Sequence, residues 1–269
     1  MLIPQGNSSF DEGFEISRDG GIIQIMIARE DDMNRMNLQV LHRFLEIANS
    51  LKEDSTANVC VITGKGHNSF SFGLLNPALR ASMSKDEVVQ LVRFANEVFN
   101  TIESLPQIII AAINGKVIAG GFELALACDI RYAADHVNMC MPEAAWGGFP
   151  GAGAPVRLPM IVGAARALEL ICTGKEVSAI DMERWGIVQA VFPQNDFMNQ
   201  VLSVAHKINS SGPLAIKGAK RIIRQRLIQG FHEASELSKA LRHSLEWSED
   251  VAEGMKAHSQ NRVPQFKGN

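Results

Sequence analysis

The sequence predicts an α/β core followed by a helical C-terminal region. Up to residue 192, short apolar runs rich in β-branched residues alternate with segments in which apolar residues recur every three or four positions. Beyond residue 194 the strand patterns stop and only helical patterns continue. Strands that alternate with helices form sheets covered by those helices. We therefore expect a core over residues 1–194 and a helical region over residues 195–269.

Five apolar runs predict buried strands, at residues 22–28, 58–63, 108–114, 137–141 and 188–192. Residues 37–54 predict a helix with one apolar stripe, formed by Leu38, Leu41, Phe44, Ile47 and Leu51. Residues 84–105 predict a second helix, in which Ser84 and Glu87 have the spacing of a capping box. Three further helices are predicted over residues 195–208, 212–230 and 231–255.

Composition and charge exclude several classes of protein. The chain has 269 residues, of which 46% are hydrophobic and 20% charged, so it can bury a sizeable core and is not expected to be disordered. Its net charge of −3 lacks the basic excess of a nucleic-acid binder. No P-loop, dinucleotide fingerprint, HExxH or G-x-S-x-G motif is present, so we expect no metal site and no nucleophilic serine.

The cysteines and the apolar segments favour a cytoplasmic protein. Four cysteines contain no CxxC pair and lie in apolar runs, which is typical of small buried side chains and reduced thiols (Cys60, Cys128, Cys140 and Cys172). The N-terminal residues do not have the pattern of a secretory signal. The longest apolar segment, residues 108–130, is interrupted by Asn114, Lys116 and Glu123, which argues against a membrane span.

Residues 108–127 contain a buried strand, a glycine-rich turn and a helix that begins near Gly120 or Gly121. The first N–H groups of a helix have no intrahelical acceptor and bind negative oxygen well. Glu123 falls in the first turn of this helix among apolar neighbours. Such a glutamate can simply complement the helix dipole. Alternatively, an apolar site raises the pKa of the carboxyl and makes it a usable acid or base.

Glu143 repeats this arrangement 20 residues later, after Pro142 and before the glycine-rich run GGFPGAG. It too can be a plain helix-start carboxylate. Two carboxyls in similar apolar, glycine-rich turns are suited to a reaction in which one delivers a proton and the other activates water.

At these residues the sequence resembles the crotonase (enoyl-CoA hydratase/isomerase) superfamily, over nearly the whole chain. The matching segments are residues 114–135, residues 141–163, the run CTGKEVSAIDMERWGIVQAVFP, and the tail EDVAEGMKAHSQNRVPQFKG. The resemblance implies a spiral of ββα units with a C-terminal helical region that mediates trimerisation. It also implies an acyl-CoA substrate, with no cofactor beyond the coenzyme A of that substrate.

The resemblance assigns roles residue by residue. The backbone N–H groups of Leu74 and Gly120 match the two donors that hold the thioester oxygen as it becomes an enolate. Glu123 and Glu143 match the two catalytic glutamates of the hydratases, and the presence of both favours hydration or dehydration over isomerisation. Neither glutamate is assigned as the acid or the base.

The first loop departs from the family pattern. Leu74 and Leu75 replace small or acidic residues, which predicts a pocket that favours an apolar acyl chain. Gly151 and Trp146 are further residues expected at the pocket, although a tryptophan is more often mostly buried in the core.

Coenzyme A phosphates require cations, and Lys256, Arg262 and Lys267 in the tail are the candidates. For each of them an ordinary solvated charge is the more common role. Apolar stripes on the C-terminal helices, together with the resemblance, predict a homotrimer or a dimer of trimers. These stripes consist of Val201, Leu202, Ala205 and Ile208, followed by Leu237, Leu241 and Leu245.

Two other functions stay open at the level of sequence. The same enolate-stabilising site can perform double-bond migration, decarboxylation, or the cleavage or hydrolysis of a C–C bond. A non-catalytic scaffold, binding RNA for example, would use the basic helix that carries Lys217, Lys220, Arg221, Arg224 and Arg226. The net charge and the two glutamates argue against that scaffold.

Overall fold

The structure is a computed structural model that describes residues 9–11, 13–228, 230, 236–237, 239–241, 244 and 247–269. The strands are β1 (Ser9–Asp11), β2 (Phe14–Asp19), β3 (Ile22–Ile27), β4 (Val59–Gly64), β5 (Ser69–Ser71), β6 (Ile108–Ile113), β7 (Lys116–Ile118), β8 (Ile130–Ala134), β9 (Asn138–Cys140), β10 (Val177–Ser178) and β11 (Ala190–Phe192). The α-helices are α1 (Leu38–Glu53), α2 (Pro77–Ala81), α3 (Lys85–Ser104), α4 (Gly120–Ala127), α5 (Ala154–Val162), α6 (Ala164–Thr173), α7 (Ala179–Arg184), α8 (Phe197–Asn209), α9 (Pro213–Ile228) and α10 (Glu249–Ser259). Short 3₁₀ helices cover Glu30–Asp32, Pro142–Trp146 and Gln194–Asp196.

The strands form two sheets. The larger has the order β1-β2-β3-β4-β6-β8-β11, parallel from β3 onward, and the smaller has the order β10-β9-β7-β5. Three successive pairs of strands repeat one pattern along the chain: the first strand of each pair lies in the larger sheet, the second lies in the smaller sheet, and a helix follows. The pairs are β4 and β5, β6 and β7, and β8 and β9. This threefold repetition is the spiral of ββα units that the sequence resemblance implied.

The central strands confirm the buried runs of the sequence. Every residue of β4, VCVITG, is buried, as expected for a parallel strand covered on both faces. Asn114 joins the two sheets at the turn after β6. Its side-chain nitrogen donates to the carbonyl oxygens of Gly64 (2.7 Å) and Gly66 (2.6 Å), and its oxygen accepts from Thr63 Oγ1 (3.0 Å). This buried amide therefore fixes where the chain leaves one sheet for the other.

The helices between the strands follow their sequence signals. Ser84 and Glu87 form the expected capping box at the start of α3. The apolar stripe of α1 is buried with one exception: Leu38 is 50% exposed, so its place in the stripe was wrong. It is the first residue of the helix, and the buried side of α1 begins only with Val40 and Leu41.

The helices after residue 194 pack partly on the core of their own chain. Val201 and Ala205 of α8 are fully buried, and Leu202 and Ile208 pack against the same core. The sequence suggested that this stripe is left uncovered in a single chain, whereas the structure covers it with the core of its own chain. Ten residues of the predicted helix over 231–255, Leu245 among them, lie outside the described residues, and residues 249–255 belong to α10.

Two basic side chains of helix α9 point toward the core of the protein. Lys220 Nζ donates to Asp129 Oδ2 and to the Gln107 carbonyl, both at 2.6 Å, and Arg224 Nη2 donates to Asp129 Oδ1 at 3.2 Å. The side chain of Arg226 lies outside the described part. Two of the cations proposed for RNA are thus paired with an acid of the core, which removes them from the surface that an RNA scaffold would require.

Within the described residues, we find no helix with both the length and the apolar character needed to cross a membrane.

Candidate active site

Two glycine-rich segments come into contact at the N-terminus of helix α4. Gly73 follows β5 and has φ of +74°, a left-handed conformation that glycine adopts at little cost. A Cβ atom placed on Gly73 would lie only 2.6 Å from the Gly120 nitrogen. Glycine at position 73 is therefore required both for the turn and for the approach of this loop to α4.

The peptide between Gly73 and Leu74 is oriented by the core. The Gly73 carbonyl accepts a hydrogen bond from the Met36 N–H at 2.9 Å. In a trans peptide the C=O and N–H groups point in opposite directions. The Leu74 N–H consequently points away from Met36.

The peptide before Gly120 is oriented in the same manner by the helix itself. The Ala119 carbonyl accepts from the backbone N–H groups of Phe122 (2.9 Å) and Glu123 (3.1 Å). The N–H of Gly120 therefore points out of the helix end, where N–H groups have no intrahelical acceptor. Ala119 adopts φ of +53°, a strained conformation for a residue with a side chain, and strain of this kind is concentrated at functional sites.

Leu74 and Gly120 line one cavity of about 90 Å³ together with both candidate glutamates. The described residues around it are Leu74, Leu75, Asn76, Arg80, Val88, Val92, Ala119, Gly120, Glu123, Glu143, Trp146, Gly148, Phe149 and Gly151. Most of these side chains are apolar, and the polar ones are Asn76, Arg80, Glu123 and Glu143. This composition is typical of a small-molecule site.

Glu123 lies in the first turn of α4 and is 2% exposed. Its Oε1 accepts a hydrogen bond from the Ala154 N–H at 3.0 Å. Burial disfavours the charged form and raises the pKa of Glu123 to about 7, although this hydrogen bond acts in the opposite direction. The nearby Glu143 raises the pKa of Glu123 further, so the two carboxyls sense each other.

Glu143 is the second residue of the 3₁₀ helix Pro142–Trp146. Its Oε2 is buried and has no hydrogen-bond partner among the described residues. Burial raises the pKa of Glu143 to about 7. Near neutral pH the pair can therefore hold one proton between them, which provides an acid and a base in the same cavity.

The turn that binds Glu123 is itself held by Arg157, a residue that the sequence reasoning missed. Arg157 is 9% exposed, and its Nη1 donates to the Ala152 carbonyl at 3.1 Å. Its Nε donates to Glu103 on α3 at 2.9 Å. Arg157 thus fixes the segment whose Ala154 N–H contacts Glu123. No local motif signals this role, because Glu103, which anchors the guanidinium, lies 54 residues away in the sequence.

The structure brings together seven residues that the sequence singled out: Leu74, Leu75, Gly120, Glu123, Glu143, Trp146 and Gly151. Trp146 is 38% exposed and lines the cavity, so it is not a core residue. The tail cations Lys256, Arg262 and Lys267 are not among the described lining residues. Arg262 pairs with Glu253 at 2.6 Å, and the expected contact of these cations with coenzyme A stays a prediction.

The sequence reasoning also missed part of the cavity wall. Val88 and Val92 come from α3, which was predicted as a helix without any link to the site. Arg80 comes from α2, a short helix for which no element was predicted. Its only signal was its position six residues after Leu74.

A two-sheet ββα spiral with glycine-rich turns at the start of a buried helix defines a crotonase-type fold, and comparison with known proteins agrees. Residues 17–269 match the sequence profile of the enoyl-CoA hydratase/isomerase family. Carnitinyl-CoA dehydratase of Escherichia coli strain K12 is 34% identical over 263 residues, which cover 96% of this chain and 99% of that protein. A probable mitochondrial enoyl-CoA hydratase 2 of Arabidopsis thaliana is 32% identical over 251 residues, covering 93% and 83%.

Solved structures show the same relationship. The crystal structure of an enoyl-CoA hydratase from Bacillus anthracis superposes with a TM-score of 0.92 at 32% identity, covering 96% of this chain and all of that one. The chain therefore belongs to the enoyl-CoA hydratase/isomerase family, the crotonase superfamily. The family and fold predicted from the sequence are confirmed.

Proposed function

We propose that this protein is an enoyl-CoA hydratase, a lyase that adds water reversibly across the double bond of an α,β-unsaturated acyl-CoA. One observation carries the proposal: two carboxyl groups of raised pKa share a cavity with two backbone N–H donors. The names of the relatives, a hydratase and a dehydratase, support a reaction of this class.

The backbone donors act on the thioester. Its carbonyl oxygen accepts hydrogen bonds from the N–H groups of Leu74 and Gly120 and gains negative charge as the enolate forms. Donors fixed in advance stabilise such charge without reorganisation, and the loss of one costs about 3–4 kcal/mol in acyl transfer. Because both groups belong to the backbone, the leucine side chain at position 74 leaves this function intact.

The two carboxyls move the protons. In the hydration direction, the ionised member of the Glu123–Glu143 pair takes a proton from water while the water oxygen bonds to Cβ. The electron pair of the enolate then takes a proton at Cα from the protonated member. Both transfers on one face give syn addition, and the scheme balances without a cofactor beyond the coenzyme A of the substrate.

A panel of enoyl-CoA and 3-hydroxyacyl-CoA thioesters, with products identified by mass spectrometry, tests this function. We expect enoyl-CoA substrates to gain one water and 3-hydroxyacyl-CoA substrates to lose one. Products with a shifted double bond, a lost carboxyl group or a cleaved chain would replace hydration with another enolate reaction of the family. Absence of turnover on the whole panel would count against an enzyme that acts on simple acyl-CoA thioesters.

A further inference from the structure

Arg80 lies in the wall of the catalytic cavity, on the short helix α2. Asn76 anchors this helix, since its side chain accepts the Leu79 N–H at 2.8 Å. The guanidinium group reaches the segment that follows Glu143: a Cβ atom on Gly148 would lie 3.3 Å from Arg80 Nη1. Glycine at position 148 thus leaves room for the cation beside the backbone of the catalytic turn.

Arg80 supplies the only cationic side chain among the described residues that line this cavity. No described acid forms an ion pair with it, and neither Glu123 nor Glu143 is within salt-bridge distance. An arginine stays charged at any physiological pH. The cavity therefore presents a permanent positive charge that the protein itself does not neutralise.

The surroundings of Arg80 make an anionic partner effective. Arg80 is exposed in the free protein, and Val88, Val92, Trp146 and Phe149 form much of the remaining wall, so a bound acyl chain would cover part of the guanidinium. An arginine–carboxylate pair is strengthened when water is excluded, and its planar geometry allows two parallel hydrogen bonds. If Glu123 or Glu143 paired with Arg80 instead, that carboxyl would no longer be available for the proton exchange proposed for the two glutamates.

We propose that Arg80 selects acyl-CoA substrates whose acyl chain ends in a carboxylate, that is, dicarboxylic enoyl-CoA or 3-hydroxyacyl-CoA thioesters. This specificity rests on the proposed hydratase function and narrows its substrate class. Leu74 and Leu75 on their own favour an apolar chain. Arg80 adds the charge that the local sequence pattern did not indicate, and it binds the far end of the chain while the leucines contact its apolar middle.

Binding of two saturated analogues tests the charge preference without turnover. Glutaryl-CoA and pentanoyl-CoA have acyl chains of equal carbon number and differ in the terminal carboxylate. Calorimetric titration should show that the native protein binds glutaryl-CoA about tenfold more tightly, an effect of about 1.4 kcal/mol. Arg80→Gln should abolish this preference while leaving pentanoyl-CoA within about twofold of its native affinity. Arg80→Lys should retain part of it because the charge remains.

Arg93→Gln is the matched control. Arg93 is an exposed arginine on the neighbouring helix α3 and does not belong to the described lining of this cavity. Its loss should leave both affinities unchanged. Equal affinity of the native protein for the two analogues would overturn the proposal. Equal weakening of both by Arg80→Gln would also overturn it, because the arginine would then contact the coenzyme A phosphates that the two ligands share.

Turnover separates this inference from the proposed function. Glutaconyl-CoA should be hydrated with a higher kcat/KM than pent-2-enoyl-CoA, and Arg80→Gln should reverse that order. If neither compound is hydrated while the binding preference and its loss are observed, the hydratase proposal fails and the carboxylate site stands. If pent-2-enoyl-CoA is the better substrate of the native enzyme, the hydratase stands and the carboxylate site is wrong.

Discussion

Replacing Glu123 with glutamine removes a carboxyl group that the fold buries at a cost in stability. The side chain is 2% exposed, and its pKa rises from 4.5 to about 7, chiefly because burial disfavours the charge. Glutamine keeps an oxygen that can accept the Ala154 N–H but carries no ionisable proton. We therefore expect Glu123→Gln to be more stable than the native protein above neutral pH and far less active.

The magnitude follows from the pKa of Glu123. Between pH 4.5 and about 7 the unfolded chain releases the proton that the folded protein keeps, so the native free energy of unfolding falls as pH rises through this window. Each tenfold change in proton affinity corresponds to about 1.4 kcal/mol, which gives about 3 kcal/mol in total above pH 7. The glutamine variant does not lose this stability, because its side chain carries no proton that ionises in this range. Its advantage should be near zero below pH 4.5 and reach about 3 kcal/mol at about pH 8.

Urea unfolding of both proteins at several pH values measures this difference. Glu97→Gln, the same substitution at an exposed position on α3 that is not among the described lining residues of the cavity, is the matched control. At about pH 8 the rate of the proposed hydration by Glu123→Gln should be at least about a hundredfold below the native rate, the usual scale for a lost acid or base. A stability advantage over the native protein that does not grow between low and high pH would refute the idea that Glu123 is kept protonated by burial. Full activity would refute its role in proton transfer.

Three further outcomes are expected from other parts of the structure. Gly73→Ala should lower kcat at least about tenfold and the free energy of unfolding by about 1–3 kcal/mol, because φ at this position is +74° and a Cβ would collide with the Gly120 nitrogen. Steady-state kinetics and urea unfolding measure the two effects. Native-like values would contradict the close approach of Gly73 to Gly120. Leu75→Asp should reduce kcat/KM for pent-2-enoyl-CoA at least about tenfold, since a carboxylate would replace part of the apolar wall. The affinity for 3-hydroxypentanoyl-CoA should be retained. Unchanged turnover would place Leu75 away from the acyl chain. Val156 (75% exposed) and Met160 (65% exposed) leave an apolar face on α5 that association would cover. Because the family resemblance implies trimers, light scattering should give three or six times the chain mass, and a monomer would contradict this.

The sequence predicted the regular parts of the fold well because their signals are local. The strand around Val59–Gly64 and the helix after Ser84 are each determined by residue patterns within one element. Strand β2, Phe14–Asp19, was missed because its apolar residues are fewer, and it pairs antiparallel with β3 near the edge of the sheet. Leu38 was misplaced because a helix period predicts a face but not the residue at which burial of that face begins.

The site was predictable to the extent that it depends on glycine-rich turns and on a recognisable family pattern. Glu123 and Glu143 stand out by their neighbours in the chain, and the cavity indeed contains both. Arg157 and Arg80 do not stand out, because what distinguishes them is contact with residues distant in sequence. Arg157 bonds to Glu103 across 54 positions, and Arg80 lies against Gly148, 68 positions further along the chain. Only the packed structure shows such pairs.

In this cavity the proposed reaction depends on backbone donors and the proposed substrate preference on side chains of the wall, so the two can vary separately. The proposed enolate donors are backbone N–H groups, fixed by the Gly73 carbonyl contact with Met36 and by the start of helix α4. A side chain at position 74 can therefore change from small to leucine without removing a donor. The wall, in contrast, is built of side chains, so the contacts proposed for the leucines and Arg80 would determine which acyl chain fits without a change in the donor geometry. Substitutions in the wall should consequently change kcat/KM ratios between substrates, whereas substitutions at the glycines should lower turnover of all of them.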